Sequence, residues 1–298
     1  KKILVVDSGS IDNSGKIAKK FLENKATGIG WEVEILDKPG KTFAINHALG
    51  RIDTEIFVMM DADASIPRDS LLKLVSWFED PSIGGVCGSI SLDSDHEKEY
   101  RKRFNAIRVW ESFIDSTPIF EGSICAFRTI SLGSNSLDQS INADDSQMAI
   151  IIRRNGLRAI MDPEIEFTEP LNYEKPLIRK IRRAQGLSRV LWKNRDLCSG
   201  KGDFSRIYRG QFYFHILFPW LLFSSLLMIL ASSSYWLFRN EEFVFNIYGG
   251  SILSILLSVF SKTIRQTLRG TSSLIISHVL YFSGKRLNVW SPDRKSTP

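Results

Sequence analysis

Cysteine and histidine are scarce in this chain of 298 residues, which contains three cysteines and four histidines. Cys87, Cys125 and Cys198 are odd in number and far apart, so they predict neither a disulfide framework nor a thiolate metal site. Their spacing fits a reducing compartment. The histidines form no cluster in the sequence, which argues against a zinc site.

The chain also lacks the glycine-rich fingerprints of two common nucleotide-binding folds. Residues 28–30 (GIG) are followed by Val33 where a dinucleotide-binding motif needs a third glycine, and they precede a strand instead of a helix. Residues 40–42 (GKT) resemble the end of a phosphate-binding loop, but Ile35 stands where the first glycine of that loop belongs. The sequence therefore argues against the dehydrogenase and P-loop classes.

The net charge is +6, but the positive charge is concentrated in one region, residues 175–209. This region lies directly before the most apolar part of the chain. Basic charge beside an apolar run is typical of the cytoplasmic flank of a membrane segment, so we expect a lipid bilayer and no nucleic acid as partner. The basic residues of this region are Lys175, Arg179, Lys180, Arg182, Arg183, Arg189, Lys193, Arg195, Lys201, Arg206 and Arg209.

The strongest local signal lies in residues 53–67, where the apolar run Ile56–Met60 leads directly into Asp61-Ala62-Asp63. Such a run predicts a strand buried on both faces of a parallel sheet. Alternation along the strand would point Asp61 and Asp63 the same way. Two neighbouring carboxylates repel each other, so we expect Mg²⁺ or Mn²⁺ between them, shared with a substrate diphosphate.

A second Asp-x-Asp at residues 93–95 has no buried strand ahead of it, and we expect a solvated turn or helix cap there. The strand before residues 61–63 therefore carries the signal, and the tripeptide alone does not.

Strands and helices alternate along the first half of the chain, which predicts an α/β domain with a mostly parallel sheet and flanking helices. Ligands bind such sheets at the carboxyl ends of the strands. Asp7, residues 38–41 and the Asp61/Asp63 pair all follow predicted strands and should converge there. The predicted strands cover residues 3–6, 31–36, 56–60 and 84–92, and the predicted helices include residues 67–78 and 96–116.

Asp144 and Asp145 open a helix that ends at Asn155-Gly156. Two explanations of this acidic pair remain open. Acidic residues in a first turn are stabilised by the helix dipole, which is a sufficient structural reason. A carboxylate at this place is also suited to act as a general base towards an acceptor hydroxyl.

The C-terminal part predicts a membrane region. Residues 173–209 predict a basic amphipathic helix in the membrane interface, with a solvated basic face as the alternative. Spans are expected at 212–238 and 243–261, and the distribution of basic residues places the N-terminal domain on the cytoplasmic side. We expect 271–284 to be interfacial or re-entrant and 285–298 to be a cytoplasmic tail.

Several segments, in this order and ahead of membrane spans, resemble the membrane-associated family 2 glycosyltransferases with a GT-A fold. They are VVDSGSIDNS, KPGKTFAINHAL, MMDADASI, NADDSQMAIIIRRNG and RRAQGLSRVLW. The resemblance implies a catalytic domain over residues 1–172 that is N-terminally incomplete, because the family's first strand is absent. It also implies a nucleotide-sugar donor, a lipid-linked or glycan acceptor, and Mn²⁺ or Mg²⁺ as cofactor.

The resemblance also implies roles for particular residues. Asp7 would contact the nucleobase or ribose of the donor, and Lys41 would lie near the nucleotide. Asp61 and Asp63 would hold the donor and the cation, with Asp63 as the direct ligand. Asp145, with Asp144 beside it in the same motif, would deprotonate the acceptor and give inversion at the anomeric carbon.

The last of the matching segments departs from the pattern of processive relatives. Gln185, Arg189 and Trp192 would lie on the acceptor or diphosphate side, but Gln185 and Arg189 are one residue too far apart for QxxRW. Transfer of one sugar to a lipid-linked acceptor is therefore at least as well supported as processive synthesis. Two alternatives to a transferase remain: a catalytically decayed membrane scaffold, and a nucleotidyltransferase that makes nucleotide-sugars.

Overall fold

The structure is a computed structural model that describes most of the chain. Asp93 and Ser94 of the second Asp-x-Asp, nearly all of the predicted span at 243–261, and the tail beyond residue 287 lie outside the described residues. The described residues are 2–91, 95–134, 136–169, 176–239 and 261–287.

The chain divides into two compact units. The first comprises Lys1–Pro176 with Leu287–Pro298, and the second comprises Leu177–Arg286. Strands and helices alternate in the first unit, as the sequence predicts. Its strands are β1 (Lys2–Ser8), β2 (Gly30–Leu36), β3 (Ile56–Met60), β4 (Ile83–Ile90), β5 (Ile124–Arg128) and β6 (Arg158–Phe167). Its helices are α1 (Ser14–Lys25), α2 (Lys41–Leu49), α3 (Ser70–Ser76), α4 (Asp95–Ile114), α5 (Thr129–Leu132) and α6 (Asp144–Arg154).

The described strands form two sheets. β1 and β2 pair in parallel, and the other sheet has the order β3-β5-β4-β6. In this second sheet β4 and β6 are parallel, whereas β5, which the sequence did not predict, runs antiparallel to both of its neighbours. The antiparallel register places Ile124, where β5 begins, beside Met60, where β3 ends. The segment before β5 therefore meets the segment after β3.

The prediction that Ile56–Met60 is buried on both faces is wrong. Val58 is 36% exposed and Met60 is 47% exposed. The reason is that β3 pairs only with β5 among the described strands, so it lies at an edge of its sheet. The strand ends at Met60, and the Ala64 N–H donates to the Asp61 carbonyl at 3.1 Å. Asp61 and Asp63 therefore lie in a turn, and strand alternation does not set their directions.

The core of the first unit lies on both faces of β4, all eight residues of which are buried. One cluster includes Cys87, Phe127 and Met148. The other includes Leu74 and Val86 together with residues of β5 and β6. A strand covered on both sides reads as a continuous run of small and apolar residues, which is the pattern of residues 83–90.

The second unit is helical. It contains α7 (Pro176–Lys193), α8 (Asp203–Phe212), α9 (Phe218–Arg239) and α10 (Lys262–Phe282). A single π-helical turn, Tyr213–Leu217, joins α8 to α9 without a break. α10 begins nine residues before the predicted segment 271–284, whose placement at the membrane stays a prediction.

Two helix boundaries differ from the predictions. The helix predicted from Pro67 begins at Ser70, and its last turn, Trp77–Glu79, is a 3₁₀ turn. The long apolar helix begins at Asp203 and not at 212, because the polar residues of α8 continue into the same helix.

Gly88 provides a test of the β4–β6 pairing. It lies at the register shift between Cys87 and Ser89, and a Cβ atom there would lie 2.4 Å from the Ile165 carbonyl oxygen. We expect Gly88→Ala to lower the free energy of unfolding by about 1–3 kcal/mol, because the clash is with backbone. Melting of the purified full chain measures this. Gly50→Ala, whose Cβ would lie 3.5 Å from its nearest neighbour, is the control and should melt like the wild type.

Candidate active site

Lys41, the first residue of α2, lies between carboxylates from two other segments. Its Nζ is 2.8 Å from Asp61 Oδ1 and 3.6 Å from Asp144 Oδ2. Lys41 follows the loop after β2, Asp61 follows β3, and Asp144 opens α6. The structure therefore brings together three of the residues that the sequence predicted for the site.

α2 also holds the loop that leads into α6. The Asn46 side-chain amide donates to the Leu137 carbonyl and accepts from the Leu137 N–H, both at 2.8 Å. The Gln147 side chain accepts from the Asp138 N–H at 2.9 Å and donates to the Ile141 carbonyl at 3.0 Å. Two amide side chains thus satisfy the backbone of this loop, and they fix where α6 and its acidic residues begin.

The turn that carries Asp61 and Asp63 is held at both of its ends. The Asp61 N–H donates to the Ser123 carbonyl at 3.0 Å. Ser65 and Thr168 exchange two backbone hydrogen bonds of 2.9 Å. The position of Asp61 therefore depends on the segment before β5, and the exit of the turn depends on the segment after β6.

Asp145 lies in the first turn of α6. Its Oδ1 accepts the Ser146 N–H at 2.8 Å. Burial raises the pKa of Asp145 to about 7, and the neighbouring charge of Asp144 adds to the increase. Lys41 and the Ser146 N–H oppose this increase without cancelling it. The site thus favours the protonated form of Asp145 more than water favours that of an exposed aspartate.

The charges of the site act on one another. Burial alone would lower the pKa of Lys41, but Asp144 and Asp61 outweigh it and raise that pKa. Burial also raises the pKa of Asp61, which Lys41 offsets only in part, and the charges of Asp144 and Asp63 add to the increase. Repulsion among carboxylates therefore remains at this site although Lys41 is present.

The residues present fit a divalent cation. Carboxylate oxygens are the ligands that Mg²⁺ and Mn²⁺ prefer. Burial is the main cause of the raised pKa of Asp61, and a cation beside Asp61 and Asp63 would relieve the carboxylate repulsion that adds to it. In the described part of the chain, no group of three or more His, Cys, Asp or Glu side chains is arranged to hold a metal.

Asp7 has a structural role in addition to any contact with a donor. Its side chain is buried, Oδ1 accepts the Ser10 N–H at 3.0 Å, and Oδ2 accepts the Gly15 N–H at 2.9 Å. A Cβ atom at position 15 would lie 2.7 Å from Asp7 Oδ2. Asp7 thus shapes the loop after β1 and the start of α1, and its predicted contact with a nucleobase or ribose stays a prediction.

Gln185, Arg189 and Trp192 belong to the second unit. Gln185 is buried and donates to the Lys285 carbonyl at 3.0 Å. The Arg189 guanidinium lies over the Tyr281 ring at 5.2 Å. Trp192 is half exposed and stacks on Phe212. Their assignment to the acceptor or diphosphate side stays a prediction.

Sequence reasoning gave no role to Glu121-Gly122-Ser123, the segment before β5. In the structure its Ser123 carbonyl holds Asp61, and Gly122 lies against Asp145. The signal that was available is a glycine next to an acidic residue immediately before an apolar run. Because β5 runs antiparallel, a search restricted to the carboxyl ends of strands passes over this segment.

Comparison with known proteins agrees with this geometry. The sequence profile of glycosyl transferase family 2 matches residues 1–141. The solved structure of the mannosyltransferase PcManGT from Pyrobaculum calidifontis, in complex with GDP-Man and Mn²⁺, is 27% identical to this chain. The match covers 96% of this chain and 79% of that one, with a TM-score of 0.82.

Two curated relatives match over shorter stretches. An N-acetylglucosaminyltransferase of Azorhizobium caulinodans is 27% identical over 110 residues, which is 36% of this chain and 27% of that protein. The chitin synthase csmB of Aspergillus niger is 31% identical over 96 residues, which is 28% of this chain and 5% of that protein. The match thus spans about a quarter or less of these curated relatives.

The mixed α/β fold is that of the GT-A type, and the comparisons support a glycosyltransferase that acts on sugar donors. Residues 1–141 match the profile of glycosyltransferase family 2, and the likeness to the GT-A mannosyltransferase extends over most of the chain. This confirms the α/β GT-A fold and the family that the sequence motifs indicated.

The raised pKa of Asp145 predicts a dependence of stability on pH. The folded state holds a proton on Asp145 up to about pH 7, whereas an ordinary aspartate has a pKa of 3.8. The folded state therefore binds more protons between these values, and this contribution to stability falls as the pH rises through that window. At pH 8 we expect Asp145→Asn to melt higher than the wild type, by on the order of a few degrees.

The difference in melting temperature should shrink as the pH is lowered towards 4. Asp53→Asn, which changes an exposed carboxylate, is the matched control. Equal melting of Asp145→Asn and wild type at every pH would contradict the assignment of a raised pKa.

Proposed function

We propose that this glycosyltransferase moves a sugar from a nucleotide-sugar donor to a lipid-linked or glycan acceptor by a single inverting displacement. The observation that carries the proposal is the arrangement around Lys41. The ammonium group of Lys41 contacts the carboxylates of Asp61, in the turn after β3, and of Asp144, at the start of α6. Asp145 is the next residue after Asp144. The proposed donor-side carboxylate Asp61 and the residue next to the proposed base thus share one lysine, which supports the proposal.

Asp61 and Asp63 are proposed to hold the donor diphosphate through Mn²⁺ or Mg²⁺, with Asp63 as the direct ligand. The cation would neutralise charge on the leaving nucleoside diphosphate. Support comes from the residual repulsion at Asp61 and from the Mn²⁺ in the complex of the Pyrobaculum calidifontis mannosyltransferase. Lys41 would add positive charge beside the nucleotide, because its Nζ is 2.8 Å from Asp61, which is proposed to hold the donor diphosphate.

Asp145 is proposed to remove the proton of the acceptor hydroxyl. A general base works best when its pKa lies near the operating pH, and the pKa of Asp145 is raised to about 7. The helix dipole also stabilises an acidic pair at this position, but it does not account for the approach of Lys41 to Asp144. Asp144 would hold Lys41 in place while Asp145 acts on the acceptor.

GDP-mannose is the donor to test first, because the Pyrobaculum calidifontis mannosyltransferase, which matches most of this chain, was solved with GDP-Man. Nucleotidyl transfer and a decayed scaffold are the alternatives that the sequence left open. The match to transferases and the presence of Asp61, Asp63 and Asp145 together favour sugar transfer over both.

The first test is release of nucleoside diphosphate from a panel of nucleotide-sugars, in membranes, with Mn²⁺, Mg²⁺ or chelator. We expect release to need the cation and to fall by about 100-fold or more in Asp145→Asn, because a positioned base contributes that much. Asp63→Ala should abolish the dependence on the cation together with the activity. Asp53→Asn, an exposed carboxylate, should keep wild-type release.

No release from any donor, together with no cation-dependent binding of nucleotide, would contradict the transferase proposal. Formation of a nucleotide-sugar from a sugar phosphate would instead support the nucleotidyltransferase alternative.

We further propose that the chain is an integral membrane protein with its first unit on the cytoplasmic side. Among the described residues, the helix Asp203–Ser232 is 30 residues long and apolar enough to cross a membrane. Its large apolar side chains, such as Leu221, Leu227 and Met228, are at least half exposed. A bilayer would cover these side chains, and the basic residues that precede the span suit a cytoplasmic flank.

The membrane proposal predicts that the full chain stays with membranes after an alkaline carbonate wash and is released by detergent. Leu227→Arg combined with Leu230→Arg should move protein into the wash, because each arginine costs about 2.5–3.5 kcal/mol at the centre of a span. Leu72→Arg, at an exposed position of α3, is the control and should stay in the pellet. Wild type that is recovered in the carbonate supernatant would refute the proposal.

A further inference from the structure

The segment Glu121-Gly122-Ser123 touches both halves of the candidate active site. On the donor side, the Ser123 carbonyl accepts the Asp61 N–H at 3.0 Å. On the acceptor side, Gly122 packs directly on the Asp145 carboxyl group. A shift of this segment would therefore move Asp61 and Asp145 relative to each other.

Gly122 leaves no free space beside Asp145. A Cβ atom at position 122 would lie 2.8 Å from Asp145 Oδ2 and 3.2 Å from Asp145 Cγ. Asp145 Oδ1 is already fixed by the Ser146 N–H at 2.8 Å. The carboxyl group is thus held at one oxygen by its own helix and bounded at the other by the Gly122 backbone.

The position of Gly122 is set by the residue before it. Glu121 is almost buried, its carboxylate forms an ion pair with Arg108, and Arg101 Nη1 lies 3.4 Å from Oε2. Both arginines belong to α4. The Glu121 carbonyl also accepts a hydrogen bond from Cys125 Sγ at 3.1 Å. Side chain and backbone of Glu121 are therefore both anchored next to the site.

We propose that Glu121, which Arg108 and Arg101 hold in place, is a positioning residue for Asp145. Glu121 acts by fixing the Gly122 backbone against the Asp145 carboxyl group. The inference rests on the proposed role of Asp145 as the base. Glu121 does not touch the reacting atoms; it determines the place from which Asp145 meets an acceptor hydroxyl.

A purely stabilising role explains this ion pair poorly. Removing two charges from water costs free energy that their attraction seldom exceeds, so apolar side chains would serve stability as well or better. The carboxylate of Glu121 also contributes to the raised pKa of Asp145, together with Asp144 on α6 and against Lys41 on α2. A glutamate at 121 thus affects both the position and the protonation of the proposed base.

Gly122→Ala tests the positional part without changing any charge. We expect turnover to fall by about 100-fold, because a displacement of about 1 Å at a reacting group costs that much. Binding of GDP with Mn²⁺, measured by titration calorimetry on the full chain, should be retained. Gly50→Ala has room for its methyl group and should keep wild-type turnover and binding.

Glu121→Gln tests the ion pair with a side chain of the same shape. We expect turnover to fall between about tenfold and 100-fold, and the acidic limb of the pH profile of kcat to move to lower pH. The direction follows because loss of the Glu121 charge removes one cause that raises the pKa of Asp145. A merely structural role would lower the melting temperature and leave the pH profile where it is.

The outcomes separate this inference from the proposed function. Wild-type turnover in Gly122→Ala and an unmoved pH profile in Glu121→Gln, while Asp145→Asn is inactive, overturn the positioning role alone. Full activity of Asp145→Asn overturns the assignment of the base and with it the role of Glu121. If Gly122→Ala does not fold, the pH profile of Glu121→Gln decides.

Discussion

Repulsion between carboxylates gathered at one edge of a sheet is the constraint on which this site depends. Asp61, Asp63, Asp144 and Asp145 interact electrostatically, and Lys41 compensates only part of their charge. The fold must therefore hold these groups where they would otherwise separate. It does so with hydrogen bonds to the backbone. The side chains of Asn46 and Gln147 bind the loop before α6, and the Ser123 carbonyl binds the turn after β3. The charge that remains suits the site for a substrate that arrives with a cation.

Strand–helix alternation predicted that Asp61 and Lys41 would lie at one edge of the sheet, and the structure brings them together. The acidic start of α6 was singled out from its place in a first turn and from the family resemblance, and Asp144 lies 3.6 Å from the same lysine. The burial of Ile56–Met60 was mispredicted, since burial depends on which strands pair and pairing is not local in sequence. β5 and Glu121 were passed over for a related reason: an antiparallel strand brings its beginning to the edge where its neighbours end. Asp7 shows another limit, because its motif does not reveal that two backbone N–H groups already bind its carboxylate.

The second unit is held together by polar contacts within an otherwise apolar helical packing. His278 on α10 contacts Ser188 Oγ on α7 at 2.9 Å and accepts from Trp220 Nε1 on α9 at 3.1 Å. Because Nδ1 accepts that bond, Nε2 carries the proton and donates to Ser188, so Ser188 is not activated as a nucleophile. Gln185 donates to the Ser277 carbonyl of α10 at 3.4 Å, and Arg189 lies over the Tyr281 ring of α10, so both lie on the side of α7 that faces α10. These bonds give three helices a specific register, which apolar contacts alone specify less strictly.

The π-helical turn at Tyr213–Leu217 has a consequence for the long apolar helix. One additional residue in a turn rotates everything that follows by about 100° around the helix axis. The two halves, α8 and α9, therefore differ in phase, and a helical wheel drawn from Asp203 does not predict the faces beyond Phe218. The polar face of α8 and the apolar surface of α9 therefore need not lie on the same side of this continuous helix.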